Sequence, residues 1–256
     1  MLEMDVRNSG QVLVIGHRGA MGHAPENTLV SFAKGLELGS DLLELDIHLS
    51  RDGELMVMHD GDVARTTDGK GHLKDMTVAE IKKLDAGIKF NERFRGERVP
   101  KLVEVIEWAK TRIPLVIEIK GDPLPTQGIE EKLVKMLREY KMLDQVMAIS
   151  FHHGSVKRVK ELEPKLTTGI LYTGQFVDTI GAARAALADS VRPAWSYWTA
   201  ELVAQVHAAG LGASSWTVND EALMEYVVPM GLDSIGCNFP DRMRAYVDRV
   251  GRGRRS

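Results

Sequence analysis

A (β/α)8 barrel of the TIM type, with a small insertion after its second strand, is the fold that three observations on this 256-residue chain predict. Eight short apolar runs of strand length recur along it, at 12–16, 42–47, 114–119, 146–150, 167–171, 192–195, 213–217 and 233–237. Amphipathic segments of helix length lie between most of those runs. Eight such units also suit a chain of about 250 residues, the usual size of this barrel. A doubly wound open sheet rarely needs eight strands at that length, and no G-x-G-x-x-G opens a helix after the first run.

Each element has a local reason. After VLVIG, Asn27 and Thr28 can cap a helix that carries Leu29, Phe32, Ala33 and Leu36 on one face and stops at Gly39. In LLELDIHL, Leu43, Leu45, Ile47 and Leu49 share one face, and Glu44, Asp46 and His48 share the other. Asp52-Gly53 then signals a tight turn, so ELMVMHD returns antiparallel and 55–58 is not counted among the eight strands. A polar stretch follows, then a Thr77–Glu80 capping box leading into IKKLDAG, then NERFRGERVP. Residues 60–100 are therefore expected to be an insertion packed over the barrel mouth. Their apolar content is too small for a separate core, which leaves 1–256 as one domain.

The helix LVEVIEWAK precedes the third barrel strand, and Ile129, Leu133, Leu137 and Tyr140 stripe the next helix. Further on, Ser155 is the expected cap of VKRVKELE and Thr199 of AELVAQVHAAG. Asn219 or Asp220 starts EALMEYVV, and Asp241 lies near the start of RMRAYVDRV. The chain contains no repeat, low-complexity segment or interdomain linker.

Composition narrows the function. A hydrophobic fraction of 44% and a charged fraction of 27% are ordinary for a soluble protein with a sizeable core. The formal net charge of -3 argues against general nucleic-acid binding. The basic C-terminal GRGRRS is short and reads as a frayed tail. Cys237 is the only cysteine, which excludes an internal disulfide and suggests a buried, inert thiol. No secretory signal opens the chain, and no apolar run reaches the roughly 20 residues a membrane helix needs. A cytoplasmic protein without stable membrane insertion is expected, its oligomeric state open.

The chemistry concentrates between Val12 and Asp60. Glu44 and Asp46, at i and i+2 on one strand, project side by side and need a cation or a shared proton between them. Glu118 and Lys120 share a face at the end of the third barrel strand. Active sites of such barrels lie at the C-terminal strand ends, which brings these groups together. Three carboxylates without cysteine suit a hard cation such as Mg²⁺ or Ca²⁺; the competing reading is a set of internal salt bridges to Arg18 or Lys120. Arg18 offers a planar fork for phosphate oxygens, and Lys120 adds a second positive charge. His17 and His59, each after an apolar run, can serve as base and acid near neutral pH. His48 is expected past the barrel rim, His152 and His153 either lining the pocket or solvated at a helix start, and His72 and His207 at the surface.

With those residues in place, the sequence resembles the glycerophosphodiester phosphodiesterase family. HRGA, PENT (Pro25 to Thr28), ELD, DG, HD, RTT (Arg65 to Thr67), VPKL and EIK stand in that family's order. Ser150-Phe151, Trp216-Thr217-Val218-Asn219 and Phe239-Pro240-Asp241 continue it. Members of the family are similar in fold to phosphatidylinositol-specific phospholipase C, and the resemblance implies a barrel with the insertion after HD. It implies metal binding by Glu44, Asp46 and Glu118, acid/base roles for His17 and His59, and phosphate contact for Arg18 and Lys120. It further implies a substrate pocket that includes Phe151, with Trp216 walling a glycerol subsite and Glu26 facing the glycerol or ordering its loop. One departure is Cys237-Asn238-Phe239-Pro240, where relatives often carry T-D-x-P; Asn238 keeps hydrogen bonding but no charge. The implied reaction is metal-dependent hydrolysis of a small-molecule glycerophosphodiester to sn-glycerol 3-phosphate and an alcohol, through a cyclic phosphate. The rivals are a lysophospholipase D or phospholipase C-like lipid phosphodiesterase, and a barrel that binds phosphodiesters without turnover.

Overall fold

Residues 9–121 and 123–253 are described by a computed structural model of the chain. In chain order the elements are β1 (Leu13–Gly16), α1 (Leu29–Glu37), β2 (Leu42–Leu49), β3 (Leu55–Val57), α2 (Val78–Ile81), α3 (Leu102–Ala109), β4 (Leu115–Ile119), α4 (Ile129–Glu139) and β5 (Val146–Ser150). They continue with α5 (His153–Leu162), β6 (Thr167–Tyr172), α6 (Thr179–Ala185), β7 (Ser190–Pro193), α7 (Ala200–Ala208), β8 (Gly212–Ser215), α8 (Glu221–Val227), β9 (Ser234–Cys237) and α9 (Pro240–Arg249). Neighbouring strands pair in parallel from β2 through β4 to β9, and β1 joins both β9 and β2. Eight parallel strands thus close into the expected (β/α)8 barrel. β3 pairs antiparallel with β2, as the Asp52-Gly53 turn predicts.

Alternation along β2 sets both layers. Leu43, Leu45, Ile47 and Leu49 face outward and pack with Leu102, Val105 and Ile106 of α3 and Leu133 of α4. A fully buried leucine of this kind contributes about 1.5–3 kcal/mol. The opposite face turns Glu44 and Asp46 into the barrel. The interior itself is divided. Leu13, Ile15, Leu42, Val116, Ile149 and Leu171 fill one side. The β7–β9 side carries small and polar groups instead, with Ser190, Arg192, Ser214 and Ser234 all buried.

Residues 60–100 hold short helical turns and bury Val63, Leu73, Ile81, Ala86 and Val99 against Met56 and Met58 of the hairpin. The Thr77–Glu80 capping box is present at α2. Thr28 and Thr199 cap α1 and α7 as predicted.

Several details differ from expectation. β7 begins at Ser190 rather than 192 and stops at Pro193, because the ladder runs from Gly169 and Gly212 onto Ser190. Ser155 is not a cap: α5 starts at His153, and the Ser150 hydroxyl takes the His152 N–H at 3.0 Å, turning the chain earlier. His207 is not a free surface residue but packs with Nε2 3.0 Å from Asp233. Of the GRGRRS tail, Arg252 accepts a hydrogen bond from Val12 N at 2.8 Å, so its start is tied to β1; its last three residues, and the first eight of the chain, lie outside the described residues. Cys237 is buried, and burial pushes its thiol up to about 12, the inert state expected. Among the described residues no helix is long and apolar enough to cross a membrane.

Candidate active site

The parallel register sets Asp46 of β2 beside Glu118 of β4. With Glu44, two residues earlier on β2, they form a cluster in which one oxygen of each lies within 4.8 Å of the others. All three are buried, and Asp46 has no exposure. Burial, then Asp46 and Glu118, pushes the Glu44 carboxyl well up. Burial and Asp46 raise Glu118 to about 7. Burial also pushes Asp46 up, but Lys120 and Arg18 overcome it and hold that carboxyl down to about 2.

Ion pairs of the competing reading are indeed present. Lys120 Nζ stands 2.8 Å from Glu118 and 3.6 Å from Asp46, and Arg18 Nε stands 3.4 Å from Asp46. Even with both cations present, crowding keeps the Glu44 and Glu118 carboxyls raised, and buried Asp46 Oδ1 has no hydrogen-bond partner. An all-oxygen donor set with one oxygen unsatisfied fits a hard divalent cation.

Arg18 is held in an uncommon backbone state, φ 51°, and Asn27 likewise at 58°. Residues other than glycine enter this region at a cost of about 1–3 kcal/mol and stay there when their surroundings over-determine them. Here Arg18 N donates to Glu44 at 2.9 Å, and Arg18 O accepts from Ser31 Oγ at 2.9 Å and Asn27 N at 3.1 Å. The next residue must be glycine: Gly19 has φ 89°, and a Cβ there would meet the Ser31 carbonyl at 2.6 Å. Asn27 in turn donates Nδ2 to Asp46 Oδ2 at 2.8 Å. The PENT loop therefore positions Arg18 and Asp46 together.

Each histidine has an oxygen on Nδ1, which leaves Nε2 for other chemistry. His17 Nδ1 lies 2.7 Å from Asn238 Oδ1, and His59 Nδ1 lies 2.6 Å from Asp60 Oδ1. His17 Nε2 stands 3.9 Å from Glu44. Burial and then Arg18 hold His17 down to about 4, while burial, with Arg18 and Lys120, lowers His59. Both shifts favour the neutral ring.

A cavity of about 80 Å³ joins these groups; His17, Arg18, His59, Lys120, Phe151 and Trp216 are on its wall. Phe151 meets Trp216 edge-on at 5.5 Å, and Trp216 Nε1 donates to the Arg192 carbonyl at 2.8 Å. A larger hollow of about 280 Å³ opens where β6–β9 begin, away from the histidines.

Of the sequence-predicted residues, Glu26 stands behind the cavity wall, accepting from Arg18 and Arg65 at 2.8 Å each. His48 contacts the His59 carbonyl at 3.0 Å. His153 contacts the Leu171 carbonyl, and His152 begins α5. Sequence reasoning gave no site role to Asn27, Asp60, Arg65 or Arg192. The first three stand inside the PENT, HD and RTT motifs, so a signal was present; Arg192 had none.

Acids, imidazoles and cations thus gather at the C-terminal strand ends of a parallel barrel, where active sites of this fold lie. The sequence model of the glycerophosphoryl diester phosphodiesterase family matches residues 17–242, and the chain belongs to that family. It is 42% identical over 242 residues to a glycerophosphodiester phosphodiesterase of Caldanaerobacter subterraneus subsp. tengcongensis, covering 94% of this chain and all of that one. Its fold is similar to that of an Oleispira antarctica phosphodiesterase solved with the product sn-glycerol-3-phosphate (TM-score 0.84, 29% identity, 94% of this chain and 98% of that one). A Silicibacter pomeroyi protein described as a putative glycerophosphoryl diester phosphodiesterase is comparably similar (TM-score 0.83, 28% identity, 95% of each chain).

Proposed function

We propose that this protein hydrolyses glycerophosphodiesters to sn-glycerol 3-phosphate and an alcohol. The observation that carries the proposal is the convergence of Glu44, Asp46 and Glu118 within 4.8 Å, beside two histidines and two cations. The product held by the Oleispira antarctica neighbour supports the same substrate class.

Arg18 and Lys120 bind the non-bridging phosphate oxygens, Arg18 kept in orientation by Glu26. Glu44, Asp46 and Glu118 would hold a divalent cation, Mg²⁺ or Ca²⁺, which when bound offsets negative charge at phosphorus and lowers the pKa of a nearby hydroxyl. One histidine takes the proton of the glycerol 2-hydroxyl as its oxygen bonds to phosphorus. The other, entering the step as imidazolium, gives its Nε2 proton to the departing alcohol oxygen as that oxygen's bond to phosphorus breaks. Water then opens the cyclic phosphate with the two imidazoles in exchanged roles. Phe151 and Trp216 wall the glycerol side and exclude water there.

We also assign residues 60–100 a covering role at the barrel mouth within a single domain, supported by Arg65, which reaches from the insertion to Glu26. Cytoplasmic placement belongs to the same proposal and is tested by cell fractionation. Turnover of glycerophosphocholine, assayed with and without a chelator, tests the activity. His17→Ala and His59→Ala should each lower kcat by about 10²–10⁴-fold; near-full activity of both would overturn the two-histidine scheme.

A further inference from the structure

Arg192 of β7 is only 3% exposed, yet no described residue accepts a hydrogen bond from its guanidinium. Asp233 and Glu44 attract it, but neither comes within ion-pair distance, and burial holds its pKa down to about 10. Its five donors therefore face the hollows it borders, open to any oxygen that enters.

The side chain has been given room. Gly169 lies on the neighbouring strand, and a Cβ there would meet Arg192 Cδ at 2.8 Å. Arg192 therefore reaches into the interior and borders both hollows, closing the inner end of the catalytic cavity and separating it from the larger space below. Around that floor Ile15, Val116, Ile149 and Leu171 are apolar. The nearby hydroxyls are already used: Ser214 donates to Ser234 O and Ser215 to Pro193 O. Arg192 is the cationic donor left for a ligand there.

We propose that Arg192 donates to the terminal hydroxyl of the substrate glycerol and so restricts the enzyme to phosphodiesters whose glycerol is unacylated; this rests on the glycerophosphodiester reading above. With the phosphate at Arg18 and Lys120 near the mouth, the three-carbon unit extends inward. A cavity of 80 Å³ has room for roughly five to eight water-sized groups, which accommodates glycerol's few atoms but not an acyl chain. A terminal hydroxyl at the inner end meets the guanidinium. Removing that hydroxyl leaves a charge buried without an acceptor, and sites built this way discriminate strongly.

The test compares kcat/KM of the metal-loaded enzyme for sn-glycero-3-phosphocholine, its analogue lacking the terminal hydroxyl, and a 1-acyl lysophosphatidylcholine. Wild type should prefer the first by about 10- to 100-fold over the deoxy analogue and show little turnover of the acylated one. In Arg192→Met the first ratio should fall toward one, and Arg192→Lys should restore part of it. Equal wild-type turnover of the deoxy or acylated compound overturns the inference, as does an unchanged ratio in a folded Arg192→Met. Since the wild-type comparison needs no variant, an unfolded Arg192→Met leaves it decisive. Absence of turnover on all three overturns the underlying functional reading as well, whereas turnover without discrimination overturns this inference alone.

Discussion

Replacing Asn238 with aspartate should raise the pKa of His17 and flatten the loss of stability in mild acid. His17 Nδ1 is 2.7 Å from Asn238 Oδ1, and burial followed by Arg18 holds the ring down to about 4 against an ordinary 6.5. A carboxylate in place of the amide adds an opposite charge at hydrogen-bond distance, which shifts such a group by about 1–3 units. His17 should then titrate near 5 to 7. The sign for stability follows from the lowered value. Between pH 6.5 and 4 the unfolded chain takes up a proton that the folded chain refuses, so stability falls as pH drops through that window and is constant below it. At about 1.4 kcal/mol per unit, the wild-type loss attributable to His17 is about 3 kcal/mol. Asn238→Asp should remove about half of that. Imidazole NMR resonances of the metal-free protein read the titration directly, and urea unfolding at pH 7.5, 5.5 and 4.5 reads the stability. A His17 resonance titrating at the same pH in both proteins would refute the electrostatic account.

Three other perturbations have definite outcomes. Gly19→Ala should destabilise the fold by more than about 1 kcal/mol, because φ is 89° and Ser31 occupies the Cβ position; thermal melts measure it, and an unchanged midpoint contradicts the packing. Glu26→Gln should weaken the hold on Arg18 and Arg65 and lower kcat/KM by about 10- to 100-fold, more through KM than kcat; steady-state kinetics decide, and wild-type KM would separate Glu26 from phosphate binding. Leu45→Ala empties a fully buried position between β2 and the helices, at a cost of about 2–5 kcal/mol in denaturant unfolding.

Much of this was legible in the amino-acid order. Eight strand-length apolar runs, the alternation of LLELDIHL and the Asp52-Gly53 turn were enough to place Glu44 and Asp46 on an inward face. What periodicity could not show is which loop folds back onto which strand. Asn27 reads as a helix cap, and only the left-handed turn at Arg18 brings its amide to Asp46. Ser155 carries the composition of a cap, but Ser150 turns the chain first. The Arg192 position was lost because RPAW, 192–195, reads as a strand that only begins there, and a buried guanidinium among serines and glycines has no periodic signature. His207 looked superficial because its partner Asp233 is 26 residues away in the chain.

The short β3 arm has a mechanical consequence for His59. Val57 pairs with Ile47, Met58 N donates to the Asp46 carbonyl at 3.0 Å, and the His48 ring holds the His59 carbonyl. The imidazole is thus indexed, rung by rung, to the same ribbon that carries two of the acids. Asp60, the first residue of the insertion, then fixes the ring's rotation through Nδ1 at 2.6 Å. One extra residue between Leu55 and Met58 would invert every following side chain and swing the ring to the outside of the barrel.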